Sequence, residues 1–169
     1  MKETEDSSQD LKKAMDTVIR ILARRSHACA EIRQKLRQRG FGADIIHTVI
    51  SECERLHYID DGETACQYFR ELKNKGCGPQ RIRADMKKKG LWGDRAESLI
   101  SEYAESKEEK EIARNVLEKK KTAFDREKEG RKRKEKIFRF LSSRGFSGSV
   151  ISDLIRSELF RQEAIPESD

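Results

Sequence analysis

Cys53 and His57 stand four residues apart, a spacing that puts two side chains on one face of a helix, and His27 and Cys29 lie near each other earlier in the chain. Zinc draws thiolate and imidazole ligands into a tetrahedron of four. The paired short spacings of zinc motifs are missing, however, and Cys53 falls on an apolar stripe with Ile46, Val49 and Ile50, where a thiol acts as a small core filler. No metal and no cofactor is expected. Asp60 and Asp61 could be read as paired carboxylates, but adjacent residues on a helix do not face one site. Asp60 with Glu63 reads instead as a capping box for a helix starting near Asp61. Gly76 and Gly78 lack the preceding strand and the GK[ST] ending of a phosphate-cradling loop, and no histidine or cysteine sits in a nucleophile motif. No catalytic residue is expected.

The basic residues are the stronger candidates. "RIRADMKKKG" places Arg81, Arg83, Lys87, Lys88 and Lys89 on one hairpin, and "EKKKTAFDREKEGRKRKEK" offers Lys119, Lys120, Lys121, Arg131, Lys132, Arg133, Lys134 and Lys136. Between Lys119 and Lys136 ten Lys or Arg stand against four Asp or Glu, so this stretch alone carries an excess equal to the net charge of +6 for the whole chain. A solvated helix face with interspersed glutamates would account for part of it. Four successive cations at 131–134 repel one another, and a polyanion would relieve that. Contact with a partner, protein or DNA, is therefore expected at Arg81, Arg83, Lys87, Lys88, Lys119–Lys121 and Arg131–Lys134.

These side chains need a scaffold, and composition narrows it. Of 169 residues, 40% are charged and 35% hydrophobic, with only two prolines, a mean hydropathy of -0.89 and a pI near 9.2. A single thick core is unexpected and long helices are favoured over turn-rich β structure. The acidic start "MKETEDSSQD" has no apolar leader region, no later stretch is long and apolar enough to span a bilayer, and four scattered cysteines form no disulfide framework. A reduced, cytoplasmic protein with no membrane contact is expected.

"IRQKLRQRGFGADIIHTVISE" at 32–52 is echoed by "IRADMKKKGLWGDRAESLISE" at 82–102 and again by "IFRFLSSRGFSGSVISDLIRSE" at 137–158, periods of 50 and 55. Each copy runs an apolar i, i+4 pair, a basic residue, a glycine (Gly40, Gly90, Gly145), a bulky apolar residue and a second apolar stripe. A cation followed by glycine is a common helix stop, because glycine takes the left-handed conformation there. The stripe Ile46, Val49, Ile50, Cys53 then has helical spacing. A further helix precedes each hairpin, marked by Leu11 to Leu22, by Ala65 to Leu72, and by Ile112, Val116 and Leu117. Pro79 fits a first helical position and Ser147 a cap, whereas Ala28 is a poor cap. The segment 123–130 reads equally as loop or helix. Trp92 is expected to wedge between neighbouring copies. Units this small complete their cores by stacking.

The wording of the copies, "AEIRQKLRQRGF" at 30–41, "LHYIDDGETACQYFRELKNKGCGPQRIRADMKKKG" at 56–90 and "RGFSGSVISDLI" at 144–155, resembles the RecX family of regulatory proteins over roughly residues 11–160. His57 stands where such proteins more often carry glycine, and Ala28 replaces their usual serine. The resemblance implies an all-α fold, an elongated, curved array of three tandem three-helix repeats lying in the groove of a RecA filament on DNA. It also implies a non-enzymatic role that restrains ATP hydrolysis, strand exchange and co-protease action in DNA repair and the SOS response. The expected division is a disordered acidic tail at 1–10, repeats at 11–57, 58–106 and 107–160, and a flexible tail at 161–169, in a monomer. Two other readings stay open: a stand-alone, non-specific DNA-binding protein and an adaptor for another acidic protein. The helices after Gly40, Gly90 and Gly145 are not basic, which speaks against major-groove reading.

Overall fold

A computed structural model of the chain describes residues 2–163, with side chains placed for 8–157. The described residues form ten helices and no strand: α1 (Lys2–Leu22), α2 (Cys29–Gln38), α3 (Ala43–Arg55), α4 (Asp61–Asn74), α5 (Pro79–Lys89), α6 (Asp94–Glu105), α7 (Lys107–Glu118), α8 (Lys121–Asp125), α9 (Gly130–Ser143) and α10 (Gly148–Glu163). The expected triplets are α1–α3, α4–α6 and α7, α9, α10, with α8 added.

Local signals set the boundaries. Gly40, Gly90 and Gly145 take φ of 83°, 75° and 81°, ending α2, α5 and α9 in the left-handed conformation that the Arg-Gly and Lys-Gly pairs predict. His57 has φ 56° and is the one non-glycine residue with positive φ among the described residues, a conformation that glycine adopts more readily. Asp60 Oδ1 accepts the Glu63 N–H at 2.9 Å, as the capping box requires, and Pro79 opens α5. Ala28 offers α2 no side-chain cap; Glu31 instead reaches back to accept the Ala28 N–H at 3.2 Å. At α10 the Val150 N–H reaches Ser147 Oγ at 3.4 Å. The ambiguous stretch resolves as the short α8 followed by a loop before α9.

Two boundaries differ from expectation. α1 begins at Lys2, so residues 2–10, expected as a disordered tail, are helical; the stretch holds neither glycine nor proline to break a helix. α10 continues to Glu163, into the expected C-terminal tail, while residues 164–169 lie outside the described residues.

The chain divides into two compact units, Met1–Tyr68 with Met86–Ala96 and Phe69–Asp85 with Glu97–Asp169. In the first, α1, α2 and α3 pack on one another around Ala14, Val18, Ile32, Leu36, Ile46, Val49, Ile50, Cys53 and Ile59. These are the apolar stripes read from the sequence, with Cys53 fully buried and its Sγ 3.6 Å from Met15 Sδ. The second copy touches the first here: a Cβ placed on Gly90 would sit 2.6 Å from Ala30 Cβ.

In the second unit α7, α9 and α10 enclose Ala113, Leu117, Ile137, Leu141, Phe146, Ile151 and Leu154, with Phe124 of α8 against Phe140. The third copy meets the second through backbone. Gly78 N–H donates to Arg144 O at 2.7 Å and Gln80 N–H to Gly145 O at 3.0 Å. A Cβ on Gly145 would fall 2.2 Å from Arg81 N, so only glycine fits. Glu109, 1% exposed at the first turn of α7, accepts the Ser147 N–H at 2.8 Å and so ties α7 to the start of α10.

Candidate functional site

The basic run around α9 carries its own counter-charges. Arg131 pairs with Glu135 one turn on (3.4 Å), Lys132 with Glu129 (2.7 Å), Arg133 with Asp125 and Lys136 with Glu127, which Lys136 holds below the usual carboxylate range. The repulsion among residues 131–134 is thus relieved within the chain at Arg131, Lys132 and Arg133, by α9 itself, by α8 and by the loop between them. Such exposed pairs contribute little energy and exchange readily with another anion. Lys134 lies beside Phe138, Arg139 and Ile155 at a shallow apolar hollow, where Phe138 is 47% exposed. Lys121 pairs with Glu118 at 3.7 Å, whereas Lys119 and Lys120 are exposed at the end of α7.

The α5 cations separate by role. Arg81 pairs with Asp85 (3.4 Å) and donates to Ser143 O, and Arg83 pairs with Glu97 (3.3 Å). Lys87 lies over the Trp92 ring at 4.2 Å, Lys89 over Tyr68 at 4.2 Å with Glu31 at 3.6 Å, and Lys88 is exposed. Trp92 is itself 41% exposed, which corrects the expected wedge: its ring packs under a cation, leaving its other parts open to solvent.

Three of the thiols are not activated. Burial pushes Cys29, Cys53 and Cys77 above the ordinary thiol range, opposite to what a nucleophile needs. Asp61, offered by the sequence as a partner of Asp60, accepts the Cys29 N–H at 2.7 Å and is pushed up by burial.

A further cluster escaped the sequence reading. Between the end of α1 and the solvent side of α2 an open cleft of about 500 Å³ is lined by Arg20, Arg24 and Arg25 on one side and by Lys35 and Arg39 on the other, with His27 and Thr17 between them. Arg25 pairs with Glu31 (3.1 Å); Arg20, Arg24, Lys35 and Arg39 have no carboxylate partner among the described residues. Burial lowers the pKa of His27, whose Nδ1 sits 2.9 Å from the Arg25 carbonyl, and Arg25 and Lys35 lower it further. Burial alone would raise the Glu31 carboxyl, but Arg25, the Ala28 N–H and Lys89 outweigh it and hold it below its usual range. The five cations are scattered over twenty positions as i, i+4 pairs, 20 with 24 and 35 with 39, so no run of basic residues announces them.

Comparison with known proteins agrees with this architecture. The family models for the first and the third three-helix domains of RecX match residues 14–53 and 108–155. The regulatory protein RecX of Legionella pneumophila (strain Corby) is 33% identical over 147 residues, covering 86% of this chain and 95% of that protein. The protein of the same name from Deinococcus radiodurans is 32% identical over 150 residues, 88% of this chain and 70% of its own length. The crystal structure of RecX from Lactobacillus salivarius superposes with a TM-score of 0.77 at 27% identity, covering 90% of this chain and 97% of that one.

Proposed function

Because the chain belongs to the RecX family of regulatory proteins, we propose that it binds RecA filaments in their groove and restrains recombinase, ATPase and co-protease activity, without catalysing a reaction itself. The observation that carries this reading is kinship along most of the chain with proteins named as regulators. The side chains support it. The thiols with shifted pKa are buried and pushed up rather than activated, while Lys87, Lys88, Lys119 and Lys120 stand exposed to steer encounter with an acidic filament. The exposed pairs of Arg131 and Lys132 would open to partner carboxylates or DNA phosphates at small cost. We place the protein as a cytoplasmic monomer acting in DNA repair and the SOS response; among the described residues no helix is long and apolar enough to cross a membrane.

The test is a titration into RecA assembled on single-stranded DNA, following ATP hydrolysis at physiological salt with bare-DNA binding measured alongside. Suppression far below the concentration that saturates bare DNA supports the reading. A fall in hydrolysis that merely tracks sequestration of bare DNA would replace it with the stand-alone DNA-binding reading.

A further inference from the structure

The cleft of the first copy has a counterpart in the third, and the comparison shows what is unusual about it. By the repeat register Lys35 and Arg39 of α2 correspond to Phe140 and Arg144 of α9, and matching the buried pair Ala14 and Val18 to Ala113 and Leu117 sets Thr17 against Val116. In the third copy the end of α4 packs against these residues and forms one wall of a hollow of about 420 Å³. Arg144 donates to the carbonyls of Lys75 (2.9 Å) and Gly76 (3.4 Å), Gly76 lies against Val116, and Lys73 pairs with Glu108 at 2.9 Å. What packs there is a helix end, received by one guanidinium and two apolar side chains.

In the first copy no such helix end is among the described residues that line the notch, and its chemistry has changed. Phe140 is replaced by Lys35 and Val116 by Thr17, so the surfaces that grip a helix end are gone. The outward face of a terminal repeat needs to be polar. Polarity alone would be met by mixed charges, yet the lining is of one sign, with four cations lacking a carboxylate partner. Ile21 is its lone aliphatic side chain, too little for the apolar anchor that a protein contact uses. Three of those four cations are arginines, whose planar fork matches phosphate oxygens bidentately.

We propose that this cleft binds phosphate groups in series, with Arg20 and Arg24 of the α1 end and Lys35 and Arg39 of α2 clasping them from two sides. A free polyphosphate and the phosphodiester backbone of a nucleic acid offer the same chemistry. His27, whose pKa is lowered by burial and by Arg25 and Lys35, reports occupancy, because an anion in the cleft offsets those cations. The inference does not rest on the filament reading: it concerns the chain alone.

The experiment uses the full chain without recombinase and two probes, inorganic tripolyphosphate and oligothymidylate. The His27 ring is followed by NMR, and affinity is measured against salt. Arg24 and Arg39 are exposed and lie outside the core, so Arg24→Gln with Arg39→Gln is the diagnostic variant, and Lys132→Gln with Lys134→Gln is the control. Binding of either probe should move the His27 resonance. The diagnostic variant should bind the active probe at least tenfold more weakly, and for oligothymidylate the salt slope should fall by about 1.4, two phosphate contacts at about 0.7 each. Tripolyphosphate that competes fully with oligothymidylate identifies a free polyphosphate as sufficient; oligothymidylate binding without such competition identifies the nucleic-acid backbone. An unmoved His27 with both probes, or equal affinity in the diagnostic variant, overturns the proposal and leaves the notch as a docking face for protein.

Discussion

The sharpest mechanical prediction compares three glycines. Gly40 and Gly145 share a left-handed backbone, φ 83° and 81°, so replacing either by alanine costs the same ~1 kcal/mol for forcing an L-residue there. Their surroundings differ. No described atom lies within 4 Å of a Cβ at Gly40, whereas a Cβ at Gly145 would stand 2.2 Å from Arg81 N and 2.9 Å from Arg81 Cα, backbone that cannot step aside. Relief requires the start of α5 to draw back from the end of α9. That endangers the Gly78 N–H bond to Arg144 O and the Gln80 N–H bond to Gly145 O, each worth about 1 kcal/mol, and adds at least ~1 kcal/mol of overpacking. Gly145→Ala should therefore cost about 4 kcal/mol against about 1 for Gly40→Ala. For a chain of this length the difference is on the order of 6–12 °C in melting temperature. Gly78→Ala should fall between them: its Cβ would meet Gly145 C and O at 2.4 Å, but its φ is not left-handed. Calorimetry gives the order, and hydrogen exchange at the Gly78 and Gln80 amides locates the damage. If Gly145→Ala melts no earlier than Gly40→Ala, the backbone junction between the second and third copies is not as described.

Two further outcomes follow from single residues. Glu109→Ala deprives the part-buried Ser147 N–H of its acceptor and should cost about 1–3 kcal/mol with faster exchange of the Ser147 amide; an unchanged melt and exchange rate would remove Glu109 from its tying role. His27 has its pKa lowered from 6.5 by burial, so the unfolded chain binds its proton more readily than the folded one. Stability is full above pH 6.5 and declines as pH falls from there through the folded value. Denaturant melts at pH 7.5 and 5.5, conditions on the two sides of that ordinary value, should show this loss in the parent and a smaller one in His27→Gln; a parent that gained stability on acidification would contradict the assignment.

The helices were legible because their signals are local. Arg39-Gly40, Lys89-Gly90 and Arg144-Gly145 mark three helix ends that the structure reproduces with φ near 80°, and the stripe from Ile46 to Cys53 is buried as its spacing demands. Family wording was legible for the same reason, since it lives in contiguous words such as "AEIRQKLRQRGF". What lay beyond the sequence depends on how elements meet. The charge run at 131–134 looked unneutralised in part because Asp125, the partner of Arg133, reaches it only when α8 folds back beside α9. The cationic cleft escaped because its pairs at 20 with 24 and 35 with 39 join across two helices. Trp92 was misjudged because nothing in the sequence fixes where the turn after α5 points; Lys87, in the last turn of α5, lies over the ring at the surface. The N-terminal acidic stretch shows a further limit: polar composition argued for disorder, while the lack of glycine and proline lets α1 run through it.

Regulation through the filament is the central claim, and direct co-sedimentation tests it. The protein is mixed with RecA filaments on single-stranded DNA at physiological salt, below the concentration at which bare DNA retains it, and the filaments are pelleted. The account predicts that the protein pellets with the filaments and saturates at a fixed ratio to RecA. Protein left in the supernatant, or pelleting only in proportion to uncovered DNA, would contradict it.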